Sequence, residues 1–480
     1  MDRLDLLCGV ACSLSRVRKG RLMRDTVIQR SALLVASLSS FLTPFMSSSL
    51  NVALPRIGSE FGMDAVLLSW VPTSYLLAAA MFLVPFGRMA DIHGRKRIFS
   101  YGVVLYTLAS LLCAIAPGGI FLIGSRILQG IGGAMMFGIG VAILTSVFPS
   151  DQRGRVLGMN AAAVYVGLSV GPFVGGYLTQ QFGWRAIFLV NLPLGLLMSL
   201  LVSWKLKGEW AEAKGAKLDI QGAIVYSLAL IAVMYGFSRL PDTVGWVLIA
   251  AGIAGLVLFV RLEAKAESPM LDTNLFRLNR VFAFSNLAAL INYSATFAVG
   301  FLLSLYLQYV RGLTPQQAGF VLVAQPLVMA IGSPYAGRLS DRIEPRIVAS
   351  AGMSLIGVGL LVFAFLKVTT PMEVIVGGLI VLGLGFALFA SPNTNAVMSS
   401  VDRKLYGVAA GTLATMRVTG QMLSIGIAML IFALIVGRVQ ITPEYSERFL
   451  TSVNLAFGVF SISCFGGVFA SLARGNVPRM

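Results

Sequence analysis

Apolar residues in this chain neither alternate nor keep to one helical face; they run on. Stretches of about 20 mostly apolar residues, the length an α-helix needs to cross the hydrocarbon core of a bilayer, occur fourteen times. The pattern predicts an all-α integral membrane protein with 14 transmembrane helices. The first run covers roughly 28 to 54, the second 66 to 86, the fourth 120 to 147 and the fifth 157 to 179. Two further runs, about 220 to 239 and 244 to 262, stand between two blocks of six. A pair of crossings returns the chain to the side it left, so the second block keeps the orientation of the first. The expected order is therefore 6+2+6: a tail at 1–27, an N-terminal six-helix bundle at 28–204, a linker with two extra helices at 205–281, and a C-terminal six-helix bundle at 282–473. The first 24 residues are basic after a short apolar patch, the reverse of a signal peptide, and Met23 offers an alternative start. The tail is expected to lie outside the fold.

Composition agrees with a lipid environment. Hydrophobic residues make up 57% and charged residues 12%, against about 25% charged in soluble proteins. The net charge of +17 suits nucleic acid only if the basic residues gather on one face, and here they are scattered through short connectors. With the amino terminus in the cytoplasm, 28 of the 37 Lys and Arg fall in cytoplasmic segments, 7 outside and 2 within helices, which is the positive-inside bias. Both termini are then cytoplasmic and the protein is multi-pass in the cell membrane, with lipid as its surroundings. The four cysteines lie in the tail or in apolar runs and imply no disulfide framework.

Several function classes lose their chemistry at this point. No phosphate-binding Gly-x-x-x-x-Gly-Lys-Ser/Thr loop is present for a primary pump, and no filter or charged ring for a channel. A membrane-embedded enzyme would have one histidine, His93, on a connector, and no cysteine cluster. No metal and no cofactor is expected, and a monomer suffices.

One connector is duplicated. Gly87-Arg-Met-Ala-Asp-Ile-His-Gly-Arg-Lys-Arg97 follows the second run, and Gly337-Arg-Leu-Ser-Asp-Arg342 returns 250 residues later in the same setting. Gly87, Arg88 and Asp91 are echoed by Gly337, Arg338 and Asp341, so the chain reads as a doubled membrane unit. Asp91 beside Arg88, Gly94 and Arg95 either fixes topology or forms a charge cluster that latches the two halves.

Polar residues at membrane depth mark the candidate site, since lipid cannot satisfy them. Arg126 and Arg417 are the two deep charges. Gln129 lies one turn from Arg126 on the same side, and Tyr75, Asn292, Gln325 and Asn393 are further candidates for a substrate path. An arginine at this depth costs about 2.5–3.5 kcal/mol on insertion scales, so Arg126 is expected to face an aqueous cavity. Of the twenty carboxylates, fourteen fall in cytoplasmic segments, six outside and none inside a helix core. The cavity is thus expected to be net positive and to suit neutral or anionic substrates. Glycines at 167, 171 and 175 form a stripe for close backbone approach, Pro172 bends the helix, and Gly176 follows.

These phrases together resemble the major facilitator superfamily, over about residues 28 to 473. Gly-x-x-x-Asp-x-x-Gly-Arg-Lys-Arg is similar to its signature loop, and Gly167-x-x-x-Gly171-Pro172-x-x-Gly175-Gly176 to its antiporter motif. Asn51-Val-Ala-Leu-Pro55, Trp184-Arg185 through Gly195, and Gly312 through Gly319 resemble the fourteen-helix drug:proton antiporter branch. The resemblance implies a secondary active exporter of small amphiphilic molecules, driven by the proton gradient, with Arg126 in proton or substrate coupling. Two positions depart from the pattern: Met46 stands where the branch has an aspartate, and Glu344 where the second connector would carry glycine. Exporters of neutral or anionic metabolites without ordinary proton coupling, or a sensor on the same scaffold, are the alternatives.

Overall fold

A computed structural model describes residues 2–149, 152–206, 208–211, 215, 219–266, 273–401 and 405–475. The first helix, α1 (Asp2–Phe61), crosses the membrane between Ile28 and Phe61. It continues backward through residues that the sequence placed outside the fold; no proline interrupts it before Pro44. The N-terminal half is completed by α2 (Ala65–His93), α3 (Arg95–Ala114), α4 (Gly119–Val147), α5 (Arg153–Phe182) and α6 (Arg185–Trp204). The inserted pair is α7 (Ile220–Arg239) and α8 (Thr243–Glu263), followed by the short α9 (Thr273–Leu278).

The C-terminal half begins with a span in three pieces: α10 (Arg280–Thr296), α11 (Ala298–Leu305) and a π-helical turn at Tyr306–Val310. The next span is likewise divided, into α12 (Pro315–Leu322) and α13 (Ala324–Arg342). Then come α14 (Pro345–Phe363), α15 (Met372–Ser399), α16 (Tyr406–Ile435) and α17 (Ser446–Ala473). Fourteen helices or helix chains among the described residues are long and apolar enough to cross a membrane, as the run lengths predicted.

The doubled unit is visible in the packing. A Cβ on Gly130 of α4 would strike the Tyr75 carbonyl of α2, and a Cβ on Gly383 of α15 would lie 2.6 Å from the Gln325 carbonyl of α13. Gly132 meets Gly102 and Tyr106 of α3 as Gly385 meets Gly352 and Ile356 of α14. In a third pair, Gly167 of α5 abuts the Phe41 carbonyl of α1, and Gly420 of α16 the Leu290 carbonyl of α10. These contacts put the halves in register, pairing Tyr75 with Gln325, Gly130 with Gly383 and Gly167 with Gly420.

The duplicated connectors are shorter than their sequences suggest. Gly87, Arg88 and Asp91 lie within α2, and only Gly94, at φ 115°, separates α2 from α3. A side chain there would collide with the Glu209 carboxylate, which accepts the Lys96 amide at 2.8 Å and so caps α3. In the second copy the turn is made differently. Pro345 occupies the first position of α14, where its missing N–H costs nothing, and Glu344 before it is held extended. This is the physical reason why Glu344 can stand where the first copy needs glycine.

The halves meet at the end opposite the chain termini. Ser304 Oγ donates to the Asn51 carbonyl (2.6 Å), Gln308 Nε2 to Val52 (2.9 Å) and Tyr309 OH to Pro55 (3.3 Å). The Ala65 amide donates to the Val439 carbonyl (3.2 Å). There, too, Gly319 of α12 abuts the Pro172 carbonyl of α5, and Gly176 abuts Pro315. At the terminal end, Gly87 on α2, Gly158 on α5 and Gly411 on α16 face open space.

Candidate functional site

Arg126 sits seven residues into α4, about 10 Å from the outer end of the helix at a 1.5 Å rise. It does not face an open cavity, as its sequence position suggested; it is 2% exposed, inside the N-terminal bundle. Its Nε donates to the Val71 carbonyl of α2 (3.2 Å) and one terminal nitrogen to Gln129 Oε1 (2.5 Å). Gln129 Nε2 donates in turn to Ser110 Oγ of α3 (2.8 Å). Asn191 of α6 reaches the same hydroxyl (3.4 Å) and Met46 Sδ of α1 (3.1 Å). The guanidinium lies 4.5 Å from the centre of the Tyr75 ring, a cation–π contact. Three sequence candidates, Arg126, Gln129 and Tyr75, are thus brought together. Burial did not require a cavity because a carbonyl, an amide oxygen and an aromatic face satisfy the cation.

The repeat register shows what this network is not for. Arg126 corresponds to Leu379, Gln129 to Leu382, Ser110 to Leu360 and Tyr106 to Ile356, and all four partners are buried in the C-terminal half. The same packing is therefore achieved with an apolar set. A buried charge is costly and can often be replaced by well-packed apolar groups without loss of stability, so the fold does not need these polar residues.

Arg417 occupies a different place. It lies nine residues past Val408, about 14 Å along α16 from the terminal end of its span. One terminal nitrogen donates to Thr394 Oγ1 of α15 (2.6 Å) and the guanidinium stands 5.7 Å from the Tyr293 ring of α10. It is half-buried, and its Nε is buried without a partner.

The other candidates part company. Asn292 is fully buried with neither side-chain atom hydrogen-bonded. Gln325 is half-buried beside the α13–α15 crossing. In the repeat register they stand where Thr43 and Tyr75 stand in the first half. Asn393 is engaged by the protein itself: it is 1% exposed and accepts a hydrogen bond from Arg474 (3.0 Å), while its own amide donates to the Ser285 carbonyl (3.1 Å). Arg474, just past α17, reads in the sequence as one more basic residue after a last helix. It folds back to bind Ser285 Oγ (3.2 Å), Ser471 Oγ (3.2 Å) and the Pro345 carbonyl (3.0 Å). Burial and nearby Arg346 pull its pKa down to about 10, partly offset by Glu344, so it stays charged at neutral pH. Asn393→Ala is expected to cost about 1.5–3 kcal/mol, the value of a hydrogen bond to a charged group. Thermal unfolding should detect that loss, and KM for any transported compound should not move.

The charge cluster at the α2 end is knit to α4 of its own half. Asp91 pairs with Arg95 (2.8 Å), and Arg95 also donates to Ser146 Oγ (2.5 Å) at the end of α4. The side chain of Asp341 lies outside the described residues. The glycine stripe is turned inward as well: Gly167, Gly171 and Gly175 admit α1, and Gly176 and Pro172 reach the opposite half. Among the described spans, acids occur only within two residues of a helix end, at Glu60, Asp91, Glu263, Glu373 and Glu447.

The Major Facilitator Superfamily profile matches residues 36–425 and again 285–478. The chain is 32% identical over 465 residues to the cephamycin export protein CmcT of Amycolatopsis lactamdurans, covering 93% of this chain and 94% of that protein. It is 28% identical over 439 residues to the riboflavin transporter RibZ of Clostridioides difficile (strain 630), covering 91% and 95%. The multidrug resistance protein Stp of Mycobacterium tuberculosis (strain CDC 1551 / Oshkosh) is 33% identical over 405 residues, covering 83% and 74%. Among solved structures, a bacterial homologue of the human lysosomal transporter Spinster, inward-facing and unoccupied, superposes with a TM-score of 0.68 at 15% identity, over 93% of this chain and 97% of that one.

Proposed function

This chain belongs to the major facilitator superfamily, and we propose that within it the protein is a secondary active exporter of small amphiphilic molecules, working by alternating access. That it is a membrane transporter and not an enzyme follows from the family and from its relatives. Alternating access is supported by one observation. The bent, glycine-bearing α5 touches the opposite half at its Pro172 carbonyl and Gly176, against Gly319 and Pro315. A small-residue contact of this kind can part and re-form without unpacking large side chains.

Proton antiport is the drive this reading favours, with Asp91 or Asp341 at the rim as the groups that exchange protons. A second reading has its own support: Met46, where an acid would titrate, contacts Asn191 within the Arg126 network, and no carboxylate lies deeper in the described spans. A protein so built moves neutral or anionic compounds, with any proton carried on the substrate. Both readings are tested by counterflow in proteoliposomes with labelled neutral, anionic and cationic compounds, with and without a pH gradient. Exchange of the first two classes is expected. Acceleration by the gradient assigns antiport, and indifference to it assigns the second reading. Pumping of cationic dyes with anions ignored would refute the substrate class in both.

A further inference from the structure

We infer that Arg417 is the docking point for an oxyanion, a carboxylate, sulfonate or phosphate, carried on an aromatic body; the inference deepens the exporter reading and rests on it.

The two deep arginines differ in what remains of their bonding capacity. Arg126 is closed in by Val71, Gln129 and Tyr75 and is 2% exposed. Arg417 is half-buried, has a hydroxyl and a ring as partners, and keeps an unpartnered Nε. A guanidinium presents its N–H groups as a planar fork matched to two oxygens of one anion. No acid of the described spans lies deep enough to serve as that anion.

The surroundings supply walls as well as charge. Tyr293 packs edge-on against Phe386, their ring centres 5.4 Å apart. The site lies on the terminal side of its span, away from the closed outer end. Aromatic rings beside a cation favour a flat ligand body that can lie edge-on or offset against them.

The scaffold does not require any of this. In the repeat register Val164 stands at the position of Arg417, Pro44 at that of Tyr293 and Val141 at that of Thr394. The cluster is confined to one half, and a fixed cation without a fixed anion is expensive unless something compensates it.

The test uses the purified full chain with 2-naphthalenesulfonate, charged at every working pH, and the neutral 2-naphthalenesulfonamide. The wild-type protein is expected to bind the sulfonate more tightly than the sulfonamide. Arg417→Gln should weaken sulfonate binding by about tenfold to a hundredfold, the value of charge-assisted hydrogen bonds, and leave the sulfonamide unchanged. Arg417→Lys, which keeps the charge and loses the fork, should fall between, and decides the matter if the glutamine variant does not fold. Equal binding of both probes by the wild type, or a preference that survives in the variants, overturns the site. Counterflow separates this from the parent reading. If both probes bind and neither is exchanged, the exporter reading fails and the anion site stands. If the variants exchange both probes as the wild type does, the anion site fails and the exporter stands.

Discussion

Arg126→Leu combined with Gln129→Leu is expected to give a protein that inserts, folds and no longer transports. The substitutions give the N-terminal half the residues its twin already carries at Leu379 and Leu382, in packing that the repeat register shows to be shared. Removing both members of a buried polar pair in favour of apolar groups is commonly neutral or stabilising, by about 1–4 kcal/mol. Thermal unfolding should therefore be unchanged or shifted upward. Counterflow of any compound the wild type exchanges should fall about a hundredfold or more, as when a binding or coupling interaction worth several kcal/mol is lost. Arg126→Ala alone should also abolish transport, and because it strips Gln129 Oε1 of its donor it should lose stability by about 1–3 kcal/mol. If the double variant transports normally, the network is packing and nothing more.

The second large effect is expected at the outer contact. Gly319 lies so close to the Pro172 carbonyl that a single methyl group has no room. Neither partner can withdraw as a side chain would, since both are backbone, the Pro172 carbonyl in α5 and Gly319 in α12. Gly319→Ala should therefore hold the outer end apart, with transport lost and the fold kept. The readout is access to Ser304, which is fully buried against the Asn51 carbonyl when the outer end is closed. With Ser304→Cys introduced after replacement of the native cysteines, an impermeant maleimide added outside should label the Gly319→Ala protein several times faster than its parent. Equal labelling rates would mean that the contact is incidental to closure.

What could be read along the chain, and what could not, follows from the range of the interaction concerned. Helix number and order are set by run length, a local property, and the fourteen spans follow from it. The repeat was legible for the same reason, because Gly87 and Asp91 recur at a fixed offset. Arg126 and Gln129 were legible as a pair, being one turn apart. Their other partners were not: Val71, Ser110, Asn191 and Met46 come from four different helices, and no spacing announces them. Arg474 illustrates the limit. A basic residue after the last span satisfies the charge rule for topology, and nothing nearby reveals that Ser285 and Asn393, far back in the chain, receive it. The hydrogen bond between Asn393 and Arg474 was illegible in consequence, since an amide at depth looks the same whether it meets substrate or a distant arginine. The latch was only partly legible for a related reason. Asp91 has a partner four residues away in Arg95, and the sequence could not tell whether that pairing or one across the halves prevails.

The inserted pair of helices bears on how the molecule would move. By sequence α7 and α8 belong to the connector, yet Tyr226 OH of α7 lies 3.2 Å from Thr419 Oγ1 of α16, and Arg438, past α16, donates to the Ser238 carbonyl (3.0 Å). Gly426 of α16 is pressed against Met234 and Phe237 of the same helix α7. These ties fasten the hairpin to the C-terminal bundle at both depths. Yet α7 also packs along α2 of the N-terminal half, so in mechanical terms the hairpin is a strap across the seam, anchored on one arm and sliding or flexing against the other whenever the two rock.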